Sequence, residues 1–212
     1  MRRYSMADRM LMALDQALRT VHAPPPTTGR PYPAEGIPEA DLTPTERDRS
    51  ARLMRVDHAG EVAAQGLYQG QALFARDERV KQRMLESSEE EYDHLAWCER
   101  RLDELGSRTS HLGPFWYTGS YAIGALASAA GDRWSLGFVK ETEKQVVAHL
   151  EDHLRRLPPR DARSRAILEQ MKIDEGHHAY KAHLAGAADL PGPVKALMRI
   201  TSKVMTATAY WI

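Results

Sequence analysis

The chain of 212 residues is long enough to bury a core of its own, and its single cysteine, Cys98, excludes an intrachain disulfide and suits a reducing compartment. Its 29 basic residues balance 29 acidic ones, so no overall field steers it to nucleic acid or to a strongly charged partner. Aromatics make up only 7%, strand-like alternation is scarce, and the chain reads as all-α.

Residues 1–22 place Met6, Met10, Leu14 and Leu18 at helical spacing, with Arg2, Arg3 and Arg9 near the start. Asp8, Arg9 and Asp15 interrupt the apolar run that a secretory signal needs, so the segment is expected as a short amphipathic helix lying on a surface or partner. Residues 23–42, rich in Pro and Gly, read as an extended linker. The expected division is therefore an N-terminal segment with its linker, 1–42, and a bundle domain, 43–212.

Thr43-Pro44-Thr45-Glu46 is a helix start, with Thr43 as cap and Glu46 three residues on, and the helix is expected to run to about Ala75. Its stripe Met54, His58, Glu61, Gln65 and Tyr68 puts polar groups where a buried face is usually apolar. The next helix, about Asp77 to Leu105, ends at Gly106 and carries Val80, Met84, Glu91, His94/Leu95, Cys98 and Leu102 on one stripe. Glu89 and Glu90 read as a solvated acidic patch, and Cys98 as a packing thiol.

Residues 112–131 (LGPFWYTGSYAIGALASAAG) carry no formal charge. A helix of that length could span hydrocarbon, but its Gly, Ala and Ser content makes insertion marginal, and a crossing would split the two halves of the site described below. The segment is better read as a helix travelling back along the bundle, with Trp116, Tyr117, Tyr121 and Trp134 as interfacial aromatics and one face resting on lipid. The helix from about Arg133 to Leu157 sets one acid, Glu143, into an apolar stripe, and Pro158-Pro159 stops it. The helix from about Arg160 to Gly186 carries Ile167, Met171, Glu175, His178 and Ala182 on one side, with His177 pointing elsewhere. Residues 191–212 contain no acid, and Lys195, Arg199 and Lys203 repeat along one face, a basic amphipathic pattern suited to a membrane surface or to packing on the bundle.

Two segments carry the chemistry. Glu91/His94 and Glu175/His178 are each three residues apart, so each pair leaves one helix face together. Glu61 precedes Glu91 by 30 residues and Glu143 precedes Glu175 by 32, giving Glu … Glu-x-x-His twice. Four carboxylates and two imidazoles from four helices are what a ferritin-like di-iron or di-manganese bundle places in its core. Oxygen donors mixed with imidazole suit iron or manganese better than a thiolate zinc or copper site. His58, His149, Asp93 and Asp174 are candidates for orienting the ligands from outside, and surface roles for them remain open.

The run Arg55-Val-Asp-His-Ala-Gly-Glu61, followed by Glu91-x-x-His94, Glu143 and Asp174-Glu-x-x-His178, resembles the demethoxyubiquinone hydroxylase family over about residues 45–212. The resemblance implies a ferritin-like four-helix bundle with additional membrane-interfacial helices. It implies two irons, one held by Glu61, Glu91 and His94 and the other by Glu143, Glu175 and His178, with the glutamates of the two E-x-x-H pairs bridging. It also implies O2-dependent hydroxylation of a polyprenylated demethoxyubiquinol, the penultimate step of ubiquinone synthesis, by a peripheral protein on the cytoplasmic face of the cell membrane. Some relatives carry a tyrosine where this chain has Leu150. NADH is a candidate electron donor, although no G-x-G-x-x-G fingerprint is present. A homo-oligomer or partner proteins of ubiquinone synthesis stay open. The competing readings are a ferritin-like peroxidase or ferroxidase, which needs no lipid contact, and a non-catalytic membrane-bound scaffold.

Overall fold

The computed structural model describes residues 5–212; Arg2 and Arg3, and the side chains of Met6, Arg9 and Met10, lie outside what it describes. Among the described residues it is all-helical, with α1 Met6–His22, α2 Pro44–Phe74, α3 Glu78–Glu104, α4 Gly113–Ala129, α5 Asp132–Arg156, α6 Ala162–Leu184 and α7 Gly192–Ala209. Local chemistry sets these limits. Thr43 and Glu46 form the reciprocal capping box at the start of α2, Asp77 caps α3, and Asp161 accepts from the Ser164 amide at the start of α6. Gly106 and Gly131 leave α3 and enter α5 at φ of 68° and 116°, where a side chain would be strained.

Helices α2, α3, α5 and α6 make the ferritin-like bundle, α2 pairing with α3 and α5 with α6. Its apolar core lies in two parts. One gathers Leu53, Met54, Trp97, Leu102, Leu150 and Ile167; the other gathers Tyr68, Val80, Met84, Leu136, Val139 and Ala182. On every bundle helix the acid or acid-histidine pair falls between the residues that serve these two parts. The polar centre is thus closed off above and below by hydrocarbon.

The Pro-rich segment is not a free tether. Tyr32, Ala34 and Leu42 are buried with Leu53 and Trp97, and Arg101, fully buried on α3, binds Glu39 together with Glu104, Asp161 and Ser164. The segment is therefore strapped along the outside of α3 and α6. α1 docks through Gln16 and Thr20, both bonded to the Tyr92 hydroxyl, while Leu14 and Leu18 of the expected apolar stripe face outward.

α4 runs along α2 with the backbones close enough to exclude side chains. A Cβ added at Gly66, Gly70 or Gly124 would collide with the carbonyl oxygen of Tyr117, Tyr121 or Leu67 respectively. Its other face leaves Phe115, Ile123 and Leu126 exposed, and α7 likewise exposes Leu197, Ile200 and Val204. No helix among the described residues is long and apolar enough to cross a membrane.

The close α2/α4 approach is open to a stability test. Gly70→Ala should lower unfolding stability by about 1–3 kcal/mol, because the methyl must displace backbone rather than a flexible side chain. Gly176→Ala, where the same methyl meets open space, should be neutral or slightly stabilising in the same urea titration.

Candidate metal centre

The helical register brings Glu61 from α2, Glu91 and His94 from α3, Glu143 from α5, and Glu175 and His178 from α6 into the bundle interior, all at most 3% exposed. Glu61, Glu91, His94 and Glu175 each offer a ligand atom within 4.8 Å of the others. His94 Nδ1 lies 3.0 Å from Glu91, 3.4 Å from Glu175 and 3.6 Å from Glu61. His178 Nδ1 lies 3.1 Å from Glu91 and 3.2 Å from Glu175. Each of these two glutamates therefore reaches both imidazoles. Glu143 and His178 fall outside the four-residue group, and Glu143 accepts a 2.5 Å hydrogen bond from the Tyr68 hydroxyl.

Both imidazoles turn Nδ1 inward and engage Nε2 with an outer carboxylate. His94 Nε2 is 3.0 Å from Asp174 and His178 Nε2 is 2.7 Å from Glu90. Such carboxylate-histidine pairs fix ring orientation and tautomer around metals. Asp174 is itself held by Arg30 of the strap at 2.7 Å, and the Arg30 guanidinium lies 4.9 Å over the Trp97 ring. Thr28 donates to Asp93 through its amide at 2.9 Å and through its hydroxyl.

The electrostatics ask for a cation. Burial pushes Glu61 and Glu143 well above the usual carboxylate range, and the neighbouring carboxylates add to it. Burial opposes charge on His94 and His178 too, yet the surrounding carboxylates raise both well above an ordinary imidazole. Glu61 Oε2 and Glu91 Oε1 are buried without a hydrogen-bond partner. Orphaned acceptors facing two imidazoles in a dry interior are the donor set that iron or manganese takes. On the outside, Glu90 is held at about 2, first by its bond to His178, and burial of Asp174 is outweighed by His94 and Arg30, leaving it at about 2.

Several sequence expectations are revised. Glu90 is not a solvated bystander: it touches His178 and Lys181 across the helix pair. It lies next to Glu91 in sequence, so its own helix directs it off the apolar stripe, and the contact arises only because α6 passes there. His58 pairs with Glu99 at 3.2 Å, away from the cluster, and His149 faces Asp57. Asp93 serves the strap rather than an imidazole. Other expectations match the structure: Glu89 and His177 are exposed, and Cys98 is a buried packing thiol with its Sγ 3.8 Å from Met171 Sδ. Tyr68 had no assigned role beyond its place on the polar stripe, and Arg30 and Thr28 lay in what read as linker.

A cavity of about 460 Å³ opens from the centre. Glu61, Glu143 and Glu175 stand at its wall, and the remainder is mainly apolar, supplied by residues such as Leu67, Ile123, Phe138, Val146 and Leu197 of α2, α4, α5 and α7.

Residues 48–209 match the sequence profile of the family described as "Ubiquinone biosynthesis protein COQ7". The chain is 59% identical to the 3-demethoxyubiquinol 3-hydroxylase of Nitrosococcus oceani over 100% of its length and 99% of the relative's. It is 53% identical to the protein of the same name from Nitrosomonas europaea, over 97% of the chain and 98% of the relative. Against that from Chromobacterium violaceum it is 54% identical, over 97% and 99%.

Two outcomes follow from the geometry. A metal ion entering the cluster competes with protons at His94, His178, Glu61 and Glu143, whose proton affinities are all raised. Metal binding should therefore release protons and weaken as pH falls, measured by calorimetry in buffers of different ionisation enthalpy. Arg30→Ala should weaken metal retention roughly tenfold against a chelator while leaving the helix content intact, since it loosens Asp174 and through it His94.

Proposed function

This chain belongs to the COQ7 family of ubiquinone biosynthesis proteins, and we propose that it is the di-iron monooxygenase that hydroxylates the ring of a polyprenylated demethoxyubiquinol. The observation that carries the reading is the apolar cavity, which starts at three of the buried glutamates and is walled in part by α4 and α7, whose outer faces carry exposed apolar side chains. A ferroxidase has no use for such a passage; a quinol with an isoprenoid tail does.

Glu61, Glu91 and His94 would hold one iron, and Glu143, Glu175 and His178 the other. Iron bound there would supply the redox chemistry with dioxygen that a ring hydroxylation needs. The chain's own groups do the rest. Asp174 and Glu90 hold the imidazoles with Nδ1 inward, and Tyr68 fixes one oxygen of Glu143 by donating its hydroxyl proton. Leu67, Phe138 and Val146 exclude bulk water from the reacting face. Trp116 lines the same cavity with a buried indole N–H that has no protein acceptor, a donor suited to a ring oxygen. NADH, directly or through the quinone, is the proposed source of reducing equivalents.

The tail needs an exit into lipid. Phe115, Ile123 and Leu126 of α4 and Leu197, Ile200 and Val204 of α7 are exposed, with Arg199 and Lys203 beside them for anionic headgroups. These faces support the reading of a peripheral protein at the cytoplasmic face of the cell membrane, with the cavity mouth toward the bilayer.

Anaerobic loading with ferrous iron, followed by a short-tail demethoxyubiquinol and labelled dioxygen, should give a product with one labelled ring oxygen by mass spectrometry. Iron oxidation without label in the ring would favour a ferroxidase. Glu143→Ala and His178→Ala should lose iron and turnover together; a variant that keeps both is not a ligand variant. Leu197→Glu with Ile200→Glu should release the protein from anionic vesicles in a flotation assay while iron content is unchanged.

A further inference from the structure

Asp57, His149 and His153 form a second group of ligand-capable side chains, on the α2/α5 face of the bundle and sharing no residue with the six described above. Asp57 stands one turn before Glu61 on α2, and the two histidines stand one turn apart on α5, so both rings leave that helix on one side. Asp57 Oδ1 lies 2.8 Å from His153 Nδ1 and 3.5 Å from His149 Nε2, and the ring centroids are 3.9 Å apart. The Asp57 and His153 side chains are 0% and 2% exposed, and that of His149 is 26% exposed.

The four atoms at this point, both Asp57 oxygens, His149 Nε2 and His153 Nδ1, are buried, yet none makes an aligned hydrogen bond. At 2.8 Å a ring N–H turned toward the carboxylate would form one; here the ring is not so turned. Atoms that approach to hydrogen-bonding distance without donating to one another are arranged as ligands around an ion are. For metal-ligand bonds of about 2.1 Å, neighbouring ligands stand roughly 3.0 Å apart in an octahedron and roughly 3.4 Å in a tetrahedron. The observed 2.8 and 3.5 Å bracket those values. Glu61 Oε2 and Glu91 Oε1 show the same signature at the main centre. Burial alone would raise Asp57, but the facing imidazoles, His153 foremost, lower it to about 2.

We propose that Asp57, His149 and His153 form a third metal site, for a divalent first-row transition ion of the class that takes two imidazoles and one carboxylate, such as Fe2+, Co2+ or Zn2+. Three protein ligands leave coordination positions free. Asp57 and His149 both line the apolar cavity, so those positions face it, and the partly exposed His149 edge is the way in.

The test counts metal in the full-length protein. After chelator stripping and anaerobic equilibration with Co2+, elemental analysis should find three ions per chain, falling to two in His153→Gln and in His149→Gln. An anomalous difference map of Co2+-loaded crystals of the unaltered protein should place a peak within about 2.5 Å of all three side chains. Two ions in the unaltered protein, or no peak there, would overturn the site and leave an ion pair between Asp57 and the histidines. The map decides even if both variants unfold. The result is separable from the di-iron reading: Glu143→Ala and His178→Ala should empty the main centre and leave this peak in place.

Discussion

Four carboxylates and two imidazoles, packed into a bundle interior with hydrocarbon above and below, are the constraint around which the chain is built. Desolvating that many ionisable groups is strongly unfavourable unless they share protons or a cation. Burial, reinforced by the neighbouring carboxylates, raises Glu61 and Glu143, and the same carboxylates raise His94 and His178 against the effect of burial. Metal cations would replace the protons, satisfy the orphaned oxygens of Glu61 and Glu91, and convert a destabilising cluster into a cross-link of four helices.

The surrounding structure serves two needs of that centre. The first is fixed ligand geometry. Asp174 and Glu90 hold the imidazoles from behind, and Arg30 extends the support to a Pro-rich strap anchored by Tyr32, Leu42 and the Arg101–Glu39 pair. The second is a dry approach. α4 is pressed onto α2 by glycines and α7 lies over α2 and α5, so that an apolar cavity runs beside Glu61 and Glu143. The supporting contacts lie on the α3/α6 side and the cavity on the α2/α5 side.

Much of this was legible in the sequence because helical periodicity is local. The starts of α2, α3 and α6 follow from capping residues, the ends of α3 and α6 and the start of α5 from glycines, and the end of α5 from the Pro158-Pro159 stop, while Glu91 and Glu143 interrupt otherwise apolar stripes. The outer contacts were not legible, because they depend on which helix passes beside which. Glu90 looked solvated until α6 crossed it, and Arg30 looked like part of a linker until the segment wrapped back onto Trp97 and Asp174. Asp57 sits within the run that marks the family resemblance, yet its pairing with His149 and His153 needs the α2/α5 crossing, which no periodicity encodes.

Anomalous diffraction at the iron edge, from crystals grown anaerobically with ferrous iron, bears most directly on the central claim. Two iron peaks enclosed by Glu61, Glu91, His94, Glu143, Glu175 and His178 are expected, with Glu91 and Glu175 between them. A bundle interior holding no iron under saturating conditions, its six side chains paired only with one another, would contradict it.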